Sequence, residues 1–580
     1  MDAIVHNFPI LYEVYAVFKV VKQTTTVLAT QAVLLGVLPV TALAATFNLI
    51  DATVEDINSA IDAGALTSEQ ITQLYLNRID AYDEQGPSLN TTIAINPNAL
   101  ETAAALDQER QLTGPRSPLH GIPVLLKDNY DTFDLPTTAG SLSLEGSIPL
   151  NDAFQTQKLR DAGAVILGKT NLHELARGVT TISSLGGQTL NPYDTTRIPG
   201  GSSGGTGAAI AANFATLGTG TDTAISIRGP ASINNLVGIR PTIGLTSRDG
   251  IVPLNLKQDV GGPITRTVTD AAVMLDTLAG FDPGDPITET SIGKIPESYT
   301  ESLNANGLNG TRIGIIRQIV EADVAGEVAD PEVVGLMNAA IEDMKAQGAE
   351  VFDVVVPDLD FFVRTNPNRT YDRFKYDINN YLASLGPEAP VKSLTEIIES
   401  GNYTPSLDTV LRNSEQRTLT PDEDPQYQLY LQNGEDLKAA LLSVLEEQNL
   451  DAFLYPTATR PPRVIGDDSP AGGNSLLSSY TGFPSIVAPA GFTSNGLPVG
   501  VELLGDAFSE PTLISLAYSY EQATMHRIPP ATTPPLPGET FEYEPVPEPS
   551  TTIGLTVFGL TALGLKLKQC RKFQSARHIT

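Results

Sequence analysis

The apolar positions of this 580-residue chain follow two different periods. Between residues 51 and 112 they recur at helical spacing and form one apolar stripe. The clearest part of that stripe consists of Ile71, Leu74, Tyr75, Ile79 and Tyr82. Thr67 followed by Gln70 predicts a capping box at the start of this helix. We therefore predict packed helices over 51–112, with a turn at 96–98.

Further along the chain, the apolar residues occur instead in short continuous runs. Such runs are typical of strands that are buried on both faces. We predict strands at 122–126, 165–171, 452–457 and 485–490, the second of which runs into a loop and helix. Helical patterns separate these runs, and strand–helix alternation with apolar strands indicates an α/β protein.

A glycine-rich stretch, 200–207, interrupts this pattern with five glycines in eight residues. It cannot be a regular helix or strand interior, because each glycine loses backbone freedom without gaining packing. An alanine-rich run follows, so we predict a tight loop that leads into a buried helix. Two adjacent serines, Ser202 and Ser203, lie in this loop. Taken alone they fit ordinary turn residues, but they are also candidates for chemistry.

Two further stretches give the loop a wider context. The first is 120–128, in which an apolar run ends at Lys127, 75 residues before Ser202. The second is 220–230, which contains Ser226, 24 residues after Ser202. In this order and at these spacings, the three stretches resemble the amidase signature family of amide hydrolases. The resemblance covers about residues 50–525. It implies a mixed β-sheet core flanked by helices on both faces.

The resemblance also implies a Ser–Ser–Lys triad and no cofactor or metal. Lys127 would take the proton of Ser202, Ser202 would take that of Ser226, and Ser226 would attack the amide carbonyl. Burial disfavours an ammonium group and lowers its pKa, so a lysine at the end of an apolar strand can act as a base. In this family the bridging serine follows a cis peptide bond.

The family forms its oxyanion hole from backbone N–H groups just before the nucleophile. The matching residues are Thr223, Ala224, Ile225 and Ser226. Most members have two glycines where this chain has Ala224-Ile225. If either position needs a positive φ, we expect strain, because a β-branched residue is disfavoured there. Otherwise the two side chains only narrow the pocket.

Other residues near these motifs have structural interpretations. We expect Ser203 to support the loop by hydrogen bonding, and Asp222 and Arg228 to form a structural ion pair. The sequence around Ser203 also satisfies the Gly-x-Ser-x-Gly pattern of α/β-hydrolases, but no strand precedes it. His120 and His173 are expected to be packed or hydrogen-bonded.

Composition narrows the classes of partner. The formal net charge is −31, which argues against nucleic acid, because phosphate binding needs basic patches. Cys570 is the single cysteine, so neither an intramolecular disulfide nor a cysteine metal site can form.

The ends of the chain predict export. Residues 1–44 resemble a signal peptide, with a lysine flank, an apolar run and small residues before the cleavage site; an uncleaved anchor is the alternative. The catalytic domain is then 45–528 and a Pro-rich linker 529–549. Residues 550–580, apolar and then basic, resemble a PEP-CTERM sorting signal or form a short membrane tail. Both interpretations of 550–580 place the catalytic domain in the periplasm, in the cell envelope or outside the cell. Signal peptidase and an exosortase are the expected processing partners.

The sequence thus predicts an exported amidase for small acyl amides or amidated peptides. Export argues against the cytoplasmic, tRNA-dependent amidotransferase branch of the family. Two alternatives stay open: a non-catalytic envelope binding protein that keeps the fold, motivated by Ala224-Ile225, and a histidine-dependent serine esterase.

Overall fold

The computed structural model describes residues 44–365, 369–469 and 472–546. It divides into a compact body, Phe47–Phe541, and a second unit at the two ends of the chain. The strands are β1 Ala45–Asn48, β2 Thr92–Ile95, β3 Pro123–Lys127, β4 Val165–Thr170, β5 Ile182–Ser183, β6 Gly187–Gln188, β7 Leu217–Asp222, β8 Val237–Arg240, β9 Val260–Thr265, β10 Arg312–Ile316, β11 Glu350–Val354, β12 Ala452–Pro456, β13 Ser485–Phe492, β14 Pro498–Leu504 and β15 Thr540–Tyr543. The α-helices are α1 Val54–Asp62, α2 Ser68–Ile79, α3 Ala99–Thr113, α4 Phe154–Asp161, α5 Gly204–Ala211, α6 Arg228–Ile233, α7 Val268–Leu278, α8 Pro331–Ala346, α9 Phe374–Ser384, α10 Leu394–Ser400, α11 Asp408–Glu415, α12 Pro425–Gln448, α13 Leu476–Thr481 and α14 Glu510–Thr524.

Within the described residues, an 11-stranded sheet organises the body, in the order β11-β10-β12-β14-β13-β8-β9-β7-β3-β4-β2. Strand β10 is parallel to β11 and β12, and β3 is parallel to β4 and β7. The central strands and the edge strand β2 pair antiparallel. The sheet is therefore mixed, and the predicted α/β class is confirmed.

Helices cover both faces of this sheet, as strand β12 shows. Ala452 and Leu454 belong to one buried cluster, which also contains side chains of α7, α8 and α14. Phe453 and Tyr455 belong to another, with side chains of α12 and α13. Alternate residues of a strand point to opposite faces, so each face carries its own hydrophobic core.

The N-terminal region is less uniformly helical than its pattern predicts. Thr67 caps α2 as expected, accepting a hydrogen bond from the Gln70 N–H at 3.1 Å. However, residues 92–95 form strand β2, which pairs antiparallel with β4 at the sheet edge. All four of its residues are partly exposed, so the strand shows no buried run or alternation that would distinguish it from its helical surroundings.

The residues that follow 528, the predicted end of the catalytic domain, pack on the body. Arg78 of α2 is fully buried and forms an ion pair with Glu539 at 2.9 Å. Its Nη2 also donates to the carbonyl of Thr533 at 2.8 Å. Phe47 stacks on Phe541, with ring centroids 5.0 Å apart. The predicted linker is thus part of the fold at least through residue 541.

The predicted segments 1–44 and 550–580 lie outside the described residues, apart from residue 44. In the part of the chain that the structure describes, no helix is both long and apolar enough to span a bilayer.

We predict that Glu539→Gln lowers the free energy of unfolding by about 3 kcal/mol, because it leaves the Arg78 guanidinium buried without its counter-charge. Glu542→Gln, an identical change at an exposed site, should alter it by less than about 0.5 kcal/mol. Urea denaturation of both variants measures the difference. Equal stability of the two variants would contradict a structural role for the segment.

Candidate active site

The glycine-rich loop is held in one conformation by close backbone packing. Gly200 has a φ of +75°, and the peptide bond between Gly201 and Ser202 is cis. A Cβ at Gly205 would lie 2.0 Å from the carbonyl oxygen of Asn171, so only glycine fits there. Helix α5 begins at Gly204, directly after Ser203. This packing fixes Ser202 at the junction of loop and helix, fully buried.

Strand β3 delivers Lys127 to the same place. Its ammonium nitrogen, Nζ, lies 2.7 Å from Ser202 Oγ and 2.7 Å from Thr221 Oγ1 on strand β7. The lysine is fully buried, and no carboxylate of the described residues is within salt-bridge distance of it. The structure thus brings Lys127 and Ser202 together as the sequence predicts.

Burial lowers the pKa of Lys127 to about 7, although Asp222 and Asp259 oppose this shift from a distance. Lys169 on the adjacent strand β4 provides a contrast. It is equally buried, but its Nζ lies 3.6 Å from Asp128 and 2.7 Å from the Tyr130 carbonyl. Burial lowers the pKa of Lys169 as well, but Asp128 opposes this shift at close range. Lys169 is therefore a paired structural cation, whereas the amine of Lys127 can accept a proton near neutral pH.

Ser226 lies in a turn that is organised by Asp222, the last residue of β7. Asp222 Oδ2 accepts hydrogen bonds from the Ile227 N–H at 3.1 Å and from Arg228 Nε at 3.0 Å. Arg240 approaches Oδ1 at 3.1 Å, and all three charged residues are fully buried. Burial opposes ionisation of Asp222, yet Arg228 and Arg240 hold its pKa below the ordinary value. The carboxylate therefore fixes both ends of the turn.

Arg228 also orients the peptide units inside the turn. Its Nη2 donates to the carbonyl oxygen of Ala224, and its Nη1 pairs with Glu502 at 2.8 Å. Because the C=O and N–H of a planar peptide unit point in opposite directions, the Ile225 N–H faces away from the ion pair.

The turn presents unused backbone donors. The N–H groups of Thr223, Ala224, Ile225 and Ser226 bond to no other described residue. Neither Ala224 nor Ile225 has a positive φ. The strain considered for these positions is thus absent, and the side chains leave the backbone donors in place.

Ser203 and Thr223 tie the loop and the turn to their surroundings. Ser203 Oγ lies 3.3 Å from both the N and the O of Thr221, so it bridges the loop to strand β7. Thr223 Oγ1 donates to Asp259 at 2.6 Å.

The remaining link of the predicted relay is not formed. Ser226 is 7% exposed, and its Oγ makes no hydrogen bond to any described residue. Ser202 Oγ contacts Lys127 and leaves its other hydrogen-bonding capacity unused. A hydrogen bond between the two serines would require movement of the Ser226 side chain.

Sequence reasoning missed several residues around Lys127. Asn129 donates to Thr221 Oγ1 at 3.1 Å, and Thr219 Oγ1 accepts from the Lys127 N–H at 3.0 Å. His173 donates its backbone N–H to the Ser202 carbonyl at 3.0 Å. Thr219 and Thr221 are two residues apart on β7, and this period-2 pattern is the one signal that could have placed them on a common face.

A buried, neutralisable amine beside a serine hydroxyl, next to a row of free N–H groups, is typical of serine hydrolases of the Ser–Lys type. The Amidase family model matches residues 70–514. The chain therefore belongs to the amidase family.

Individual relatives agree with this assignment. A probable amidase of Arabidopsis thaliana is 36% identical over 507 residues, which are 84% of this chain and 93% of the relative. A glutamyl-tRNA(Gln) amidotransferase subunit from Streptomyces coelicolor is 32% identical, covering 83% of this chain and 97% of the relative. The crystal structure of native peptide amidase from Stenotrophomonas maltophilia has a TM-score of 0.75 and 38% identity, covering 83% of this chain and 99% of that one.

The pKa of Lys127 predicts a pH profile for amide hydrolysis. Below pH 7 the amine is protonated and cannot accept a proton, so kcat/KM should fall about tenfold per pH unit; above pH 8 it should be constant. Burial lowers the pKa of His173 to about 4, so this neighbour stays neutral across the range. The measurement uses hexanamide, which does not itself titrate, between pH 5 and 9. A flat profile would exclude Lys127 as the base.

Proposed function

We propose that this protein hydrolyses carboxylic amides through an acyl-enzyme on Ser226. Ser226 Oγ attacks the amide carbonyl while its proton passes to Ser202 Oγ and from there to the neutral Lys127. The 2.7 Å contact between Lys127 and Ser202 carries this proposal. Catalytic hydrogen bonds are often long in free enzymes and shorten when substrate binds, so the open Ser202–Ser226 link is compatible with it.

The same site can stabilise the charge that develops. The tetrahedral intermediate carries a negative oxygen, and the free N–H groups of residues 223–226 are the available donors. The proton then returns from Lys127 through Ser202 to the departing amine. Water then attacks the acyl-enzyme and gives one proton through Ser202 to Lys127. This proton returns to Ser226 Oγ as the ester bond breaks and the carboxylic acid leaves.

Small acyl amides and amidated peptides are the proposed substrate class. The similarity to the Stenotrophomonas maltophilia peptide amidase supports it, because 99% of that chain is covered. The similarity to the amidotransferase relative supports amide chemistry in general.

Observations at the site argue against the two alternatives, a non-catalytic binding protein and a histidine-dependent esterase. A binding protein was suggested by Ala224-Ile225, but the backbone donors there are intact. A histidine-dependent esterase needs one imidazole nitrogen that is free to accept the serine proton, whereas in both His120 and His173 Nδ1 accepts a backbone N–H, so Nε2 carries the proton. His120 Nε2 lies 2.8 Å from the Leu106 carbonyl and its Nδ1 accepts from the Arg116 N–H. His173 Nδ1 accepts from the Thr180 N–H at 3.3 Å.

We predict that Ser226→Ala and Lys127→Met each lower kcat/KM for amides by at least about 10⁴-fold, because each removes one member of the relay. Ser203→Ala is the matched control. It removes a neighbouring buried hydroxyl whose hydrogen bonds, among the described residues, are to Thr221, and it should cost no more than about tenfold.

A fluorophosphonate probe separates chemistry from folding in the same set of variants. The wild type and Ser203→Ala should be labelled, whereas Ser226→Ala should not, with circular dichroism unchanged in all. Labelling of Ser226→Ala, or turnover by it near the wild-type rate, would overturn the assignment of the nucleophile.

We further propose export, which the patterns at 1–44 and 550–580 alone support. The full chain expressed in a bacterial host should appear in the periplasmic fraction with residue 45 as its first residue, measured by mass spectrometry. A cytoplasmic chain that retains residues 1–44 would contradict this proposal.

A further inference from the structure

A cavity of about 310 Å³ adjoins the reactive loop and turn. Gly200 and Gly201 form one part of its wall, and Ile225, the residue before the nucleophile, forms another. The rest is largely apolar, with side chains such as Val179, Ile198 and Val324. A substrate whose carbonyl carbon reaches Ser226 would place one of its substituents in or beside this cavity.

One carboxylate lies in this largely apolar wall. Asp323, between strand β10 and helix α8, lines the cavity and is only 2% exposed. Its Oδ1 accepts the backbone N–H groups of Ala325 and Glu327, both at 2.9 Å. Oδ2 accepts no hydrogen bond from any described residue, yet it is not sealed from the cavity.

No lysine, arginine or histidine of the described residues forms a salt bridge with the Asp323 carboxylate. The nearby Arg364 pairs instead with Asp360, and its Nη2 donates to the backbone carbonyl of Asp323 at 3.1 Å. Two arginines line the same cavity, but both contact other groups. Arg460 pairs with Glu327 at 3.3 Å, and Arg463 Nη1 donates to the carbonyl of Ser469. The two backbone N–H groups on Oδ1 compensate part of the cost of burying this carboxylate, and Oδ2 is left without a partner among the described residues.

We propose that Asp323 binds a protonated amine of the substrate, so that the preferred substrates are amides that carry an ammonium group. This inference rests on the proposed amide hydrolysis and narrows its substrate class. The walls around this carboxylate are largely apolar, and the two lining guanidinium groups are held by Glu327 and by the Ser469 carbonyl. An aliphatic chain that bears an ammonium therefore suits the cavity. The two N–H donors on Oδ1 hold the carboxylate in place, and Oδ2 receives the ligand.

The test compares primary amides that differ in one ammonium group. The pairs are leucinamide with 4-methylpentanamide, and 6-aminohexanamide with heptanamide, all at pH 7. In the wild type, at least one cationic member should exceed its neutral partner in kcat/KM by tenfold or more. Equal rates within both pairs would overturn the proposal.

Asp323→Asn keeps the Oδ1 acceptor, and therefore the loop, but removes the charge. It should lower kcat/KM for the preferred cationic amide by about 10- to 100-fold and leave the neutral partner within about twofold. Glu321→Gln, the same chemical change at an exposed residue of this segment, should alter neither substrate. A loss that is equal for both members of a pair would make Asp323 a structural residue only.

A binding measurement keeps this inference separate from the proposed reaction. If no amide is hydrolysed, the proposed function fails, and calorimetry with 3-methylbutylamine and 3-methylbutanol still tests the site. The amine should bind the wild type at least tenfold more tightly than the alcohol, and Asp323→Asn should remove the difference. Equal affinity of the two ligands for the wild type would overturn the site.

Discussion

The site depends on a buried amine that has no carboxylate partner. Lys127 could have been a structural cation, as Lys169 is one strand away, if an acid lay beside it. Instead its neighbours are the hydroxyls of Ser202 and Thr221, which bond equally well to a neutral amine. The sheet imposes this environment, because β3 is an interior strand whose five residues are all buried. The pKa of about 7 is thus a consequence of where the strand ends.

The turn that carries Ser226 is positioned by buried charges on three strands. Asp222 is surrounded by Arg228 and Arg240, and Arg228 in turn pairs with Glu502 on β14. A buried network of this kind adds little stability, but it tolerates few alternative geometries, since any displaced member leaves an unpaired charge. Here it joins strands β7, β8 and β14 to the turn before α6. The main effect of these buried charges is therefore to fix the direction of the N–H groups beside Ser226.

The sequence predicts best those features that a local pattern encodes. Continuous apolar runs identified β3 and β4, and the spacing of Lys127 and Ser202 predicted two side chains that the fold brings into contact. The missed features depend on partners that are remote in sequence. Thr221 reaches Lys127 only because β3 and β7 pair across about 90 residues, and Glu539 reaches Arg78 across 461. A Pro-rich composition such as that of 529–549 is typical of a linker. No local pattern indicates that one carboxylate of this segment, Glu539, pairs with the buried guanidinium of Arg78.

Ala224-Ile225 stands where most members of the family have two glycines, and this difference has a physical explanation. An oxyanion hole made of backbone N–H groups needs a particular peptide orientation and no particular side chain. Here Asp222 and Arg228 supply the orientation from behind, so the front of the turn is free to vary. Glycine would leave that space empty, whereas Ile225 places its side chain in the wall of the 310 Å³ cavity. The turn thus separates two features: its backbone presents free N–H groups, and the Ile225 side chain forms part of the cavity wall.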